Sequence, residues 1–267
     1  MSFSAAWLEM REPYDRRARN TTVIEAVAAA LGDRPSVMIV DIACGTGSTL
    51  RALSPRIKAR QNWRLADNDL SLLARTPQSS PPKINVVTMP VDLNLDVEAA
   101  LDGPVDLVAT SALLDLVSDE WLERFAVETA ARRLPVYAAL SYDGRIDMTP
   151  VDATDQRIIA AVNAHQRTDK GFGPALGPAA AKAAVAMFER VGYSVVQGAA
   201  DWAFEPDDRD IQLEVLSGWA AAAREMDKLP LPDVAGWLTR RRDLVAAGRS
   251  SIRVGHVDFF ARPTATR

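Results

Sequence analysis

Short apolar runs alternate along this chain with stretches of helical periodicity. The segments 37–42, 62–67, 84–89, 105–110, 135–141, 193–197 and 252–260 are β-branched or apolar runs bounded by turn-forming residues, and they predict seven strands. Between them, 47–54, 70–75, 118–133 and 178–191 repeat apolar positions on one helical face. The third of these helices has Ser118 at its start, Asp119 and Glu120 in its first turn and Arg132 and Arg133 in its last, which suits both its cap and its dipole. The fourth follows Gly177-Pro178, presents Ala181, Ala184, Val185 and Phe188 on one face, and stops at Gly192. Ahead of the first strand, Pro13 in a first turn, the stripe Ile24, Val27, Ala28 and Leu31, and Gly32 as a stop predict one helix over 13–31. Alternating strands and helices predict an α/β fold, a seven-stranded, mostly parallel sheet with helices on both faces.

Two segments exceed what such a sheet needs. Residues 143–177 carry a short helix near 153–164 and a loop with Gly171, Gly173, Pro174 and Gly177. Residues 201–249 carry two amphipathic helices, with the stripes Ile211, Val215, Trp219, Ala223 and Val234, Trp237, Leu238, Leu244. Neither is polar enough for a disordered linker. The expected organisation is one domain over 1–267, with a helical cover at 1–33 and lid or cap insertions at 143–177 and 201–249.

The chemistry concentrates at Val37-Met-Ile-Val-Asp-Ile-Ala-Cys-Gly-Thr-Gly-Ser48. A buried strand ends on Asp41, small residues fill Ala43, Gly45 and Gly47, and Thr49, Leu50 and Leu53 follow at helical spacing. Gly has no Cβ and accepts positive φ, so a ligand can approach such a turn closely. The C-terminal edge of a parallel sheet is where nucleotide-like cofactors bind. Ala43 fits this turn if its φ is negative. A dinucleotide fingerprint read from Gly45 would need a third Gly where Leu50 stands, which counts against an NAD(P)-dependent oxidoreductase.

Asp-Ile-Ala-Cys-Gly-Thr-Gly resembles motif I of the class I S-adenosylmethionine (SAM)-dependent methyltransferases, with Ala43 replacing the first Gly of the pattern. The resemblance covers roughly 35–142 and more weakly 178–197 and the final strand, and it implies a Rossmann-like sheet with SAM as cofactor. It places Asp41, Ala43, Cys44, Gly45 and Gly47 around SAM. In the run ending at Asp67 and Asn68 it implies a carboxylate receiving both ribose hydroxyls, a task charge assistance suits. Asp69 is the competing carboxylate, and a helix cap is the structural alternative for Asp67. Replacing Asp67 is expected to weaken SAM and to leave the melting temperature almost unmoved. Asp92 and Leu93 match the segment that faces adenine, and Ser111 lies in the post-strand segment Thr110–Asp115 that lines the methyl-donor cavity. That segment lacks the Asn-Pro-Pro-Tyr form of amino-group methyltransferases acting on nucleobases.

Loops over a rigid sheet edge carry specificity, and the densest polar group there is Asn163 to Gly173. His165 is a candidate general base. Gln166, Arg167 and Lys170 are candidate acceptor-binding residues, able to hold a carboxylate or phosphate, and Tyr142, Asp143 and Arg145 leave the fifth strand at the same edge. Residues 163–173 are expected to form a lid over the acceptor and not over SAM. The N-terminal segment from Trp7 to Arg16 either folds over the cofactor, with an Arg on its carboxylate, or packs as an edge helix. His256 alternates with apolar neighbours and reads as a satisfied sheet residue.

Composition narrows the partners. A net charge of −4 and a pI near 5.3 disfavour nucleic acid. Cys44 is the sole cysteine, and no His/Asp/Glu cluster has metal-ligand spacing. Acidic residues interrupt the N-terminus where a signal peptide needs an apolar stretch, and no segment is apolar for long enough to span a bilayer. The expectation is a cytoplasmic enzyme methylating a small polar metabolite, with a non-catalytic SAM-binding module as the alternative.

Overall fold

The computed structural model describes residues 3–32, 34–76 and 82–264. The helix predicted at 13–31 is two helices, α1 (Ala5–Ala18) and α2 (Thr21–Leu31). Ser4 starts the first by accepting from Trp7 N at 3.1 Å. Asn20 restarts the second by accepting from Val23 N at 3.1 Å. Pro13 lies inside α1 on its exposed side, four residues after exposed Glu9, so the carbonyl it cannot bond belongs to a solvated turn.

The remaining elements are β1 (Ser36–Ile42), α3 (Ser48–Leu53), β2 (Arg60–Asp67), α4 (Leu70–Leu73), β3 (Ile84–Pro90), α5 (Val97–Ala100), β4 (Leu107–Ser111), α6 (Asp119–Ala131), β5 (Val136–Thr149), α7 (Asp155–His165), α8 (Ala180–Arg190), β6 (Tyr193–Ala199), β7 (Trp202–Phe204), α9 (Arg209–Glu225), α10 (Leu231–Ala246) and β8 (Ser251–Pro263). The sheet order is β3-β2-β1-β4-β5-β8-β6, with short β7 pairing β8 beside β6. The first five strands are parallel, and β8 runs antiparallel to both β5 and β6. The seven predicted strands thus lie on one path, and β7 and the single-turn α5 are additions to the pattern.

One sheet face packs Phe125, Phe188 and Phe259 beneath α6 and α8, and the other packs Val27, Trp63 and Phe260 beneath α2 and α3. A third core lies beyond the sheet. Residues 143–149, predicted as part of an insertion, continue β5, which pairs with β8 as far as Thr149↔Ser251. Register shifts between Ala138 and Ser141 and between Tyr142 and Ile146 mark bulges that bend the pair. On it sit α7, α9 and α10, packed through Ile158, Leu216 and Trp237. Inside this cap, Asp155 is ion-paired with fully buried Arg241 and accepts from Trp237 Nε1 at 2.8 Å.

Candidate active site

A cavity of about 370 Å³ opens at the C-terminal edge of the parallel strands. The β1–α3 turn supplies Ala43, Cys44 and Gly45, the end of β2 supplies Asp67 and Asn68, the segment after β3 supplies Asp92 and Leu93, and the end of β4 supplies Ser111. Eight of the ten residues expected around the cofactor therefore line one cavity. Gly47 stands just behind it as the N-cap of α3, at φ 84°. Asp41 is fully buried in β1, outside the lining.

Asp67 holds this cavity together. One carboxylate oxygen accepts from Gly45 N at 2.8 Å and the other from Asp69 N at 2.9 Å. Asp69, not Asp67, caps α4, accepting from Ser71 N and Leu72 N. A carboxylate has about four lone-pair sites, so each oxygen retains capacity toward the cavity. Gly45 has φ +54°, and a Cβ there would lie 3.1 Å from Leu8 Cδ1. The turn is thus closed from above by α1 as well as shaped from below. Ala43 has φ 52°, so the expectation of a negative φ is overturned: an L-residue occupies the left-handed region. Ala112 and Leu140 share that strain, at φ 52° and 55°, and both lie on cavity walls. Backbone strain gathers at functional sites because the surrounding fold must over-determine it.

Arg51 of α3 fastens the cover. It donates from Nε and Nη2 to the two oxygens of Glu12, both at 2.6 Å, and from Nη1 to Thr46 O at 2.6 Å. Burial opposes ionisation of Glu12, but the Arg51 guanidinium outweighs it and holds the carboxyl below its usual range. Beneath the turn, buried Arg19 donates to Tyr137 Oη at 3.1 Å and to Ser111 Oγ at 3.3 Å. Among the described residues neither Asp41 oxygen has a hydrogen-bond partner within full geometric range, although Arg19 and Thr49 stand near enough to favour its charge. Burial dominates and pushes the Asp41 carboxyl up to about 8. Burial, together with Asp41 and Asp67, also drives the Cys44 thiol far up, which removes it as a nucleophile.

A second cavity of about 410 Å³ adjoins the first, and Arg11, Ala112, Leu116 and Lys170 line both. Trp7, Tyr142, Trp202 and Trp219 form aromatic walls around it, and His165, Gln166 and His256 face it. Tyr142 Oη donates to Asn163 Oδ1 at 2.7 Å. His165 Nε2 meets Glu225 Oε2 at 2.9 Å, while Nδ1 stands 3.4 Å from Lys170 Nζ, which also donates to Thr168 Oγ1 at 2.9 Å. Burial lowers the Lys170 ammonium, with Glu225 acting against it. Asp115, on the same wall, is raised to about 6 by burial, against the pull of its own backbone contacts and of Arg11.

The structure brings Tyr142, His165, Gln166 and Lys170 together as expected, but Arg167 is exposed and lines neither cavity. It lies two residues beyond the end of α7, where a Cβ on Gly177 would come within 3.2 Å of its Cγ. The lid reading also needs correction, because Lys170, Gly171 and Phe172 reach the first cavity. Asp169 Oδ1 accepts from Gly171 N and Gly173 N, and Phe172 packs edge-on against Trp121 with ring centroids 5.6 Å apart. Sequence reasoning missed Trp202, Trp219 and His256, which β7, α9 and the β5–β8 pairing carry to the cavity. The amphipathic stripe of α9 had marked Trp219, but as a core residue.

Comparisons with known proteins bear on the fold. No family model matches the chain, and no curated protein matches it. Among solved structures, a cyclopropane-fatty-acyl-phospholipid synthase-like protein from Lactobacillus casei has a TM-score of 0.53 at 14% identity, over 94% of this chain and 99% of that one. A SAM-dependent methyltransferase from Geobacter sulfurreducens, solved with S-adenosyl-L-homocysteine, has a TM-score of 0.47 at 15% identity, over 98% and 99% of the two chains. A cyclopropane synthase from Mycobacterium tuberculosis has a TM-score of 0.48 at 12% identity, over 90% and 82%. The chain shares the fold of the Lactobacillus protein, a Rossmann-like α/β fold. Among the described residues no helix is long and apolar enough to cross a membrane.

Proposed function

We propose that this chain transfers the methyl group of SAM to a small molecule. The observation that carries the reading is the pair of cavities sharing one wall at the sheet edge, the first built by the motif-bearing turn and the acidic end of β2. The first cavity suits SAM on the chemistry of its donor set. Asp67 accepts from the ribose hydroxyls, Asp92 and the Leu93 amide read adenine, and the backbone of Ala43, Cys44 and Gly45 accommodates the amino-acid end. Arg11 stands where it can hold the carboxylate, steadied by Asp15 at 2.9 Å. Bound SAM supplies a methyl already activated by the sulfonium, so the protein's work is alignment.

The second cavity holds the acceptor, with the cap of 143–177 and 201–249 as its roof and the sheet as its floor. Lys170 and Arg11, on the shared wall, favour an acceptor carrying an anionic group. His165 is the base read from sequence, and its engagement by Glu225 and Lys170 makes it equally a device for placing Lys170. The oxidoreductase alternative loses ground, because Leu50, at the third position of the dinucleotide fingerprint, is buried in the core.

Calorimetry with SAM, S-adenosylhomocysteine (SAH) and NADH tests this reading. SAM and SAH should bind and NADH should give no heat. Binding of NADH with SAM silent would overturn it.

A further inference from the structure

His256 stands on β8 opposite Tyr142 of β5, on the wall of the second cavity. Its ring lies 4.8 Å from the Trp202 ring and 6.0 Å from the Tyr142 ring, centroid to centroid, so its orientation is fixed by packing. Nδ1 is 3.1 Å from Val254 O, a carbonyl that can only accept. The ring proton must therefore sit on Nδ1, and Nε2 carries the lone pair. Among the described residues the hydrogen bonds of His256 run from its backbone N and from Nδ1, none reaches Nε2, and the residue lines the cavity. A buried imidazole with one nitrogen pinned and the other open toward a cavity has the orientation a general base requires. The Arg11 guanidinium stands over the same Trp202 ring, 5.3 Å from its centroid.

We propose that His256 Nε2 is the base that receives the proton of a hydroxyl acceptor held against the aromatic walls, a reading that rests on the SAM-dependent transfer proposed above. The acceptor oxygen forms its bond to the methyl carbon as the carbon–sulfur bond breaks and its electron pair goes to sulfur. The hydroxyl proton passes to Nε2, giving an imidazolium that keeps Nδ1–H on Val254 O and later yields its extra proton to water.

Burial, reinforced by the Arg11 cation, holds His256 well below its ordinary value, at about 4. It is therefore neutral and ready at physiological pH, but a weak base. That selects the acceptor. A hydroxyl oxygen becomes strongly acidic as it is alkylated and surrenders its proton even to a weak base. An alkylated aliphatic amine holds its proton about as tightly as a Lys ammonium, near pKa 10, and would keep it. The substrate class is a hydroxyl compound with a flat or apolar body, such as a phenol, and the product is a methyl ether.

Purified protein is incubated with methyl-labelled SAM and either a metabolite extract or paired hydroxybenzoates and aminomethylbenzoates, alongside SAH calorimetry. His256→Asn keeps a donor for Val254 O and removes the Nε2 lone pair. Label should enter oxygen, and the variant should lose on the order of 100-fold in kcat with SAH affinity and KM for SAM within a few-fold of wild type. As a readout free of the variant's folding, nitrogen NMR of SAH-loaded wild type should show one of the chain's two imidazoles as the Nδ1–H tautomer. Its Nε2 resonance should move on adding hydroxybenzoate. Label on nitrogen or carbon overturns the proposal, as does transfer by His256→Asn near the wild-type rate, or SAH binding with no transfer at all. An Nε2–H tautomer at His256 overturns it independently. Failure of SAM and SAH to bind removes the underlying reading itself, a result none of the other outcomes resembles.

Discussion

Ala43 occupies the left-handed region at φ 52° in the turn that faces the cofactor cavity, and its methyl group packs against the core beneath α6. Left-handed backbone costs an L-residue roughly 1–2 kcal/mol, while Gly brings an entropic penalty of about 0.5–1 kcal/mol. Ala43→Gly should therefore be close to neutral in urea melts, whereas β-branched Ala43→Val should cost on the order of 1–3 kcal/mol. Equal stability of the two variants would show that the turn relaxes. Asp67 is a different case. The sequence predicts a residue that serves only the ligand, but its oxygens also hold Gly45 N and Asp69 N. Asp67→Ala should lower apo stability by roughly 1–3 kcal/mol through two orphaned amides, besides weakening SAH. An unmoved melting temperature would mean that water replaces it. The residues expected around the cofactor were legible because they lie at or just beyond strand ends, and strand ends can be read from apolar runs. His256 was not, because its alternation along β8 reports burial and says nothing of which ring nitrogen meets a cavity.

At the scale of elements, α1 decides access to both cavities, since it contributes Leu8 and Arg11 to the first and Trp7 and Arg11 to the second. Its boundaries were misread because Pro13 marks helix starts more often than interiors. The Glu12–Arg51 fork binds α1 to α3, partly exposed but bidentate, and such a pair is worth about 1 kcal/mol. Glu12→Gln should loosen this cover. SAH should dissociate a few-fold faster and amide exchange in α1 should quicken, while β1 to β4 exchange as before; unchanged α1 exchange would place the fastening in Trp7 and Trp202 instead, whose rings meet edge-on at 6.3 Å. The loop of 163–173 reaches the cofactor cavity through Phe172, against the sequence expectation. Phe172→Ala should weaken SAH measurably in calorimetry, and wild-type affinity would return the loop to the acceptor side alone. Its place was illegible because it depends on Leu176 N bonding Val117 O and Gly177 N bonding Asp115 O, contacts between segments about 60 residues apart.

Across the molecule, the alternation of strands and helices and the two-sided cover follow from periodicity, while the sheet order is long-range and the cap's seat on the extended β5–β8 pair depends on bulges no periodicity records. The same architecture seals Asp41 at the centre, fully buried, with neither oxygen hydrogen-bonded among the described residues. Its carboxyl is raised from an ordinary 3.8 to about 8, chiefly by burial. Between those values the folded chain keeps a proton that the unfolded chain has released, so this residue's contribution to stability falls as pH rises from about 4 to about 8. His256 acts in the opposite sense. Held at about 4 against an ordinary 6.5, it leaves the unfolded chain with the extra proton, so its contribution grows with pH over that narrower range. The two overlap below pH 6.5, and between pH 6.5 and 8 Asp41 acts without His256. Asp41→Asn mimics the protonated form and removes the titration. The variant's advantage in melting temperature over the apo wild type should therefore widen as pH rises from 5 to 8 and level off above. A difference constant across that window would mean that the carboxyl ionises at its ordinary value, with Arg19 as its true partner.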